Sequence, residues 1–320
     1  KRLQSLVEKI TPYVVGADVQ VTLRTAKLSK ADLVTSMVRE FPELQGVVGG
    51  YYARASGEKD QVSEAISEHY RPQGAKDELP SSPEAIIVSL ADKLDTLTGF
   101  FCIGVKPTGS KDPFALRRAA LGVIRIIIDC GLKIPLKKVL DAAVNGYDFE
   151  ILDPDLMPFI RQRLFVHLRD QKMRHDIVAA SLASSDGDDI SIITNRARAL
   201  ATFIDSNDGL ALVGVWRRVS NILVAEEKRT NEVFGSDPDP ELFNDIEREL
   251  FDKLSLVPLR EDDIQLQLRA LVELQTPTDS FFNNLIVNHE DTKIRKNRLG
   301  LLAKIRNTML SIADFRKIEG

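Results

Sequence analysis

Cysteine is nearly absent: the 320 residues contain two, Cys102 and Cys130. That excludes a disulfide framework and a multi-cysteine zinc site, and it fits a reducing cytoplasm. Histidine is sparse as well, with His69, His167, His175 and His289 the only four, and Trp216 is the single tryptophan. No apolar run approaches the ~18–20 residues of a membrane span. Strongly apolar stretches such as Leu121–Ile128 are shorter, and this one contains Arg125. No Gly-x-Gly-x-x-Gly follows a strand pattern, no nucleophile-elbow sequence occurs, and period-two alternation with hairpin turns is missing. Neither charge sign dominates. Lys and Arg total 43 against 47 Asp and Glu, a formal net charge of −4. This excludes a uniformly basic nucleic-acid coat but leaves room for a local basic face. The chain starts at Lys1 with no signal-peptide pattern, so we expect the natural polypeptide to be longer.

What is present is helical periodicity, and the fold class expected is all-α. Leu3, Leu6, Val7 and Ile10 recur at i, i+3, i+4, i+7. The spacing predicts helices over 28–41, 43–55 and 58–70. Ser82-Pro83-Glu84 is a helix start, with a capping serine, proline at the first helical position and an acid in the first turn. Its helix should run to about Ile103. Asp112-Pro113 repeats the signal, and Gly131 should stop the helix that follows. Further helices are expected over 135–146, 155–170, 173–183, 189–205, 207–230, 240–288 with a break near Pro258, and 291–317. Polar breakers stand at 184–189 and 235–240.

Charge is segregated along the chain. Residues 236–263 carry ten acids against three bases, and 291–306 carry six bases against one acid. A charge run reads first as a solvated face. On the basic helix, however, Arg295, Arg298 and Arg306 fall on one side and Leu299, Leu302 and Ile305 on the other, which suits an RNA-backbone contact. The stretch Gly104-Val-Lys-Pro-Thr-Gly-Ser-Lys111 fails as a nucleotide-hydrolysing phosphate loop. Its lysine comes one place late, and Asp112 stands where a hydroxyl is needed. A turn feeding a helix N-terminus can still present N–H groups to an anion, with Lys111, Arg117 and Arg118 close by, or serve as a plain structural turn. His175-Asp176 sits among Lys172 and Arg174, which oppose a metal, and is read as surface. Asp92 and Asp95, three apart on a helix, are read as helix-surface groups before acid–base catalysts. No catalytic residue and no metal site are expected.

Several segments are specific enough to carry a resemblance. Leu28-Ser-Lys-Ala-Asp-Leu-Val-Thr-Ser-Met-Val-Arg-Glu-Phe41, Glu43-Leu-Gln-Gly46, Glu68-His-Tyr70, Ala91-Asp-Lys-Leu-Asp95, Lys111-Asp-Pro-Phe-Ala-Leu-Arg-Arg118, Arg218-Val-Ser-Asn-Ile-Leu223 and Arg295-Lys-Asn-Arg-Leu299 follow in this order. Together they resemble the C-terminal half of the β subunit of bacterial two-subunit glycyl-tRNA synthetases. The resemblance is strong over the first 130 residues and the last hundred, and weak between about 145 and 200.

The resemblance implies an HD-like helical domain over 1–145, a helical linker region over 146–204, and a DALR-like anticodon-binding bundle over 205–320. It implies a tRNA-binding part of a glycine–tRNA ligase, in the cytoplasm and off the membrane. Its partners would be tRNA-Gly and an α subunit, in a heterotetramer of two α and two β. ATP and Mg2+ would act on the α subunit, with no cofactor bound by this chain. The positions matching an HD site are Asp32, His69 and Asp92. Ala31 replaces the histidine of the His-Asp pair, so the domain is expected to keep the scaffold without the metal. Arg217, Arg218, Asn221, Arg295, Asn297 and Arg298 are the candidate tRNA contacts, joined by Lys111, Arg117 and Arg118. Trp216 and Phe282 would stack on bases or belong to the core, and salt bridges to the acidic 236–263 segment compete for the arginines. Two rival readings stay open: an HD-type metal-dependent phosphohydrolase, and a pure subunit-assembly module.

Overall fold

Ser82 starts the central helix of the N-terminal half as its sequence predicts: its hydroxyl accepts from the Ala85 amide at 3.2 Å, with Pro83 in the first turn. In this computed structural model the described residues are 1–147, 149–183, 189–235, 237–259 and 263–319. The breaker expected at 184–189 lies outside them except for Asp189, and so does Ser236 of the second breaker. The chain divides into two compact units. The first comprises Lys1–His167 and Asp188–Ser191, the second Leu168–Gly187 and Ile192–Gly320. Residues of the expected linker, 146–204, fall in both.

The first unit runs through α1 (Arg2–Ile10), α2 (Val19–Leu28), α3 (Ser36–Glu40), α4 (Val47–Ala55), α5 (Asp60–Glu68), α6 (Pro83–Cys102), α7 (Leu116–Asp129), α8 (Leu136–Val144) and most of α9 (Leu156–Asp170). The helix α6 is apolar on nearly every face because α1, α2, α5, α7 and α8 all pack around it. Ile87, Leu90, Leu94, Leu97 and Phe101 are fully buried there. A close approach joins α4 to α5. A Cβ on Gly50 would lie 1.9 Å from Ser67 Oγ and 2.6 Å from the Ser63 carbonyl, so only glycine permits that spacing.

The expected helix over 28–41 is broken. α2 ends at Leu28, a 3-10 turn covers Ala31–Val34, and Thr35 caps the short α3 through Oγ1. The break turns Asp32 inward, where its Oδ2 accepts from the Gly46 amide at 2.6 Å. Asp112 also acts differently from expectation. It stands upstream of α7 and takes the first two helical amides, Leu116 at 2.8 Å and Arg117 at 3.0 Å.

The second unit holds α10 (His175–Ala183), α11 (Ile190–Ile204, from Ile192 on), α12 (Asn207–Thr230), α13 (Asp245–Ser255), α14 (Ile264–Val272), α15 (Gln275–Asn284) and α16 (Thr292–Ile312). The expected 240–288 pair is three helices. The long α12 and α16 pack together, with α13, α14 and α15 against them. Their shared core includes Trp216, Leu250, Leu268, Phe281, Leu302, Met309 and Phe315. Trp216 is buried with its ring 5.9 Å from that of Phe315, so it is core and presents no face to a base. Among the described residues the only bridge is an isolated one between Thr108 and Lys111, as an all-α chain requires. No helix among them is long and apolar enough to cross a membrane.

Candidate functional site

The basic helix α16 turns much of its charge inward. Arg298 is buried, with Nε 2.7 Å from Glu247 Oε1 and Nη1 donating to the Ile286 carbonyl at 2.7 Å. Asn297 is buried too. Its side chain accepts from the Asp239 amide at 2.6 Å and donates to the Asp239 carbonyl at 2.9 Å. Arg295 Nη2 reaches Glu226 Oε2 at 2.5 Å, and Arg306 reaches Glu227 at 2.9 Å. Glu226 also receives Arg229 at 2.7 Å and Asn288 at 3.0 Å. Reading Asn297 and Arg298 as surface RNA contacts is therefore corrected: their hydrogen-bonding capacity is used inside the bundle. The acidic 236–263 segment does compete, through Glu247, but Arg295 and Arg306 pair instead with acids on α12.

The helix α12 keeps an outward polar face. Gly214, Arg217, Arg218 and Asn221 are exposed on it and together span two turns. Arg218 lies 3.4 Å from Asp279 and 4.2 Å above the centre of the Phe282 ring. Phe282 is half-buried and meets Phe281 edge-on, so one face of it already carries a guanidinium. Lys293 and Lys296 are the exposed cations of α16, with Lys296 3.3 Å from Glu232.

In the first unit, the anion reading of the Gly109–Arg118 turn loses its donors. Asp112 already occupies the first amides of α7, and Arg117 Nη2 donates back to the Gly109 carbonyl at 2.7 Å. Lys111 and Arg118 remain exposed, beside Phe114, which stacks on Phe100.

Of the HD-site positions, the structure brings His69 and Asp92 together through a residue that the sequence reading did not single out. Lys30 Nζ sits 2.7 Å from Asp92 Oδ1, 3.0 Å from His69 Nε2 and 3.8 Å from the centre of the Tyr70 ring. His69 Nδ1 lies 2.6 Å from the Ile66 carbonyl. A carbonyl only accepts, so Nδ1 carries the hydrogen and Nε2 is left as acceptor for the lysine. Burial, reinforced by the neighbouring ammonium, pushes His69 down to about 3. Burial also lowers Lys30, against the opposing pull of Asp92. Lys93, one residue along α6, is lowered to about 8 by burial while it donates to the Tyr70 and Arg71 carbonyls and Ser89 Oγ. Asp32 faces the same region, and its Oδ1 is buried with no partner among the described residues.

These residues do not fit a metal. Among the described residues no three His, Cys, Asp or Glu side chains converge on one point, and the site between His69 and Asp92 is filled by an ammonium. A divalent ion there would meet a positive charge where it needs a ligand. The His175-Asp176 pair is likewise structural. Asp176 is buried, bonded to Arg174 at 2.6 Å and to the Glu319 amide at 2.9 Å.

Comparison with known proteins adds what geometry alone does not. Residues 1–183 match the family model described as glycyl-tRNA synthetase beta subunit. Residues 216–318 match the DALR anticodon binding domain. The chain is 41% identical over 333 residues to a glycine–tRNA ligase beta subunit of Cereibacter sphaeroides, covering all of this chain and 48% of that protein. It is 41% identical over 326 residues to one of Ruegeria sp., covering all of this chain and 47% of that protein. A third, from Dinoroseobacter shibae, is 40% identical over 357 residues, covering all of this chain and 49% of that protein. The chain thus spans about half the length of these curated relatives. With a family model matched over more than half of its residues, the chain belongs to the glycyl-tRNA synthetase beta subunit family.

Proposed function

We propose that this chain holds tRNA-Gly, mainly by the anticodon arm, for a glycine–tRNA ligase whose aminoacylation site lies on a separate α subunit. The observation that carries this reading is the exposed polar face of α12 within the segment that matches an anticodon-binding domain. Arg217 and Arg218 supply phosphate-directed charge, and the amide of Asn221 can both donate to and accept from a base edge. ATP and Mg2+ then belong to the α subunit, the assembly is two α with two β, and the complex works in the cytoplasm.

A salt series tests this, using the 320-residue chain with tRNA-Gly and an anticodon-swapped tRNA. Steep salt dependence with weaker binding of the swapped tRNA supports the anticodon role. Equal affinities would move recognition elsewhere, and no binding at low salt would end the RNA reading.

A second role for the same chain has its own observation. Leu33, Val34, Met37, Phe41, Val47, Tyr51 and Tyr52 are all exposed within twenty residues of the first unit, Val34 at 82% and Tyr51 at 66%. Exposed apolar groups concentrated in this way suit a protein contact. We assign them to docking the α subunit. Val34→Asp and Tyr51→Asp should abolish co-purification of the α subunit without lowering the melting temperature; unchanged co-purification would refute the assignment.

A further inference from the structure

A cleft of about 640 Å³ opens in the second unit beside α11 and α14. Asn195, Arg198 and Phe203 line it from α11, and Gln265, Leu268 and Arg269 from α14. The spacings follow from helix geometry: 195 and 198 share one face, as do 265, 268 and 269. The volume lies within the ~300–1,000 Å³ usual for small-ligand sites.

Many arginines of the second unit are ion-paired, though not all: Arg169 and Arg248 donate to backbone carbonyls. Arg174, Arg218, Arg295, Arg298 and Arg306 each hold a carboxylate. Arg198 and Arg269 line the cleft with no carboxylate partner among the described residues. Asp263 borders the same space, but its Oδ1 accepts from the Gln265 and Leu266 amides as the cap of α14. Besides the Asp263 carboxylate, the lining offers two guanidiniums, two neutral amides, two hydroxyls from Thr202 and Ser206, and one half-buried aromatic ring. They suit a nucleotide, whose phosphate needs the guanidiniums, whose base edge needs groups that both donate and accept, and whose faces need an apolar neighbour. The helix α11 lies between the two family matches, which end at 183 and resume at 216, so neither match assigns it a role.

We propose that this cleft receives a single unstacked nucleotide from the loop of a bound RNA. Arg198 and Arg269 take its phosphate, Asn195 and Gln265 its base edge, and the half-buried Phe203 one of its faces. The proposal rests on the tRNA-binding reading and adds a subsite to it, formed by α11 outside the matched anticodon-binding segment and α14 inside it.

The test uses the 320-residue chain, the anticodon-arm hairpin of tRNA-Gly, and hairpins carrying an abasic sugar at each loop position in turn. One loop position should lose about tenfold in affinity when made abasic. That loss should vanish in Gln265→Ala and Asn195→Ala, which bind the intact hairpin about tenfold more weakly. Arg198→Ala and Arg269→Ala should weaken every hairpin alike and each reduce the salt slope by about 1. All four positions are exposed, so unchanged melting curves serve as the folding control. If the hairpin binds and these variants bind like the parent, the cleft is refuted while the tRNA reading survives. If the arginine variants weaken binding but no abasic position couples to Gln265 or Asn195, the cleft holds phosphate only and the base-pocket proposal falls. If neither the hairpin nor whole tRNA binds, both readings fail together.

Discussion

Lys30 donates across 3.0 Å to His69 Nε2, and each residue fixes the state of the other. The imidazole stays neutral because it is buried and an ammonium faces it, and the ammonium keeps a hydrogen-bond acceptor because the imidazole does not gain a proton. Asp92 and the face of Tyr70 complete the surroundings. The first unit therefore carries its own fixed cation among the residues that resemble a metal centre.

The protonation of His69 sets an acid limit on stability. Unfolded, a histidine binds a proton below about 6.5; folded, His69 does so only near 3. The unfolded chain therefore holds the extra proton between those values. Stability should be complete above pH 6.5 and fall by roughly 4 kcal/mol as the pH drops towards 3. Denaturant melts at a series of pH values check this. His69→Gln should flatten that part of the profile, and an unchanged slope would place the titration elsewhere.

Removing the cation strands its partner. Lys30→Met leaves Asp92 half-sheltered without a counter-charge and should destabilise by about 2–4 kcal/mol, less than a fully buried pair because Lys30 is 31% exposed. Adding Asp92→Asn to that variant should recover part of the loss, as a double-mutant cycle would show. Neither EDTA nor Mn2+ should shift the melting temperature of the unaltered chain.

Arg298 and Arg217 should separate stability from RNA affinity. Arg298→Met strands Glu247 in the bundle and should lower stability by about 3–5 kcal/mol. Arg217→Ala, on the exposed face of α12, should change stability by less than about 0.5 kcal/mol while weakening tRNA binding and its salt dependence. Thermal melts run beside filter binding decide whether the two effects fall on different residues.

Two glycines should respond in opposite directions. Gly50→Ala places a methyl against the Ser63 carbonyl, which belongs to the backbone and cannot rotate away, so a loss of about 1–3 kcal/mol is expected. Gly214 lies within α12 with nothing within 4 Å of its missing Cβ. Gly214→Ala should gain close to 1 kcal/mol from helix propensity alone. Chemical denaturation of both variants tests the pair.

Local signals were read well where they were local. Ser82-Pro83-Glu84 placed the start of α6, and the 207–230 pattern placed α12, which the structure shows capped by Ser206 just before it. The run over 28–41 misled because its apolar spacing is helical, while the inward turn of Asp32 depends on Gly46, fourteen residues away. The α14–α15 joint at Glu273–Leu274 was missed although Pro277 stands in the first turn of α15, because the apolar spacing runs on across it. The candidate site was less legible still. Periodicity put Arg295 and Arg298 on one side of a helix but could not show that Glu226 and Glu247, far along the chain, would meet them there. Lys30 offered no signal in sequence, because its role exists only where α6 brings Asp92 to it.

The two populations of cations in the second unit have one more consequence. Counterions screen the exposed Arg217 and Arg218 far more than the enclosed Arg298–Glu247 pair. A rise in ionic strength that weakens charge contacts at the exposed face leaves the inner pair in place, so the bundle keeps its fold over a salt range in which surface charge is silenced.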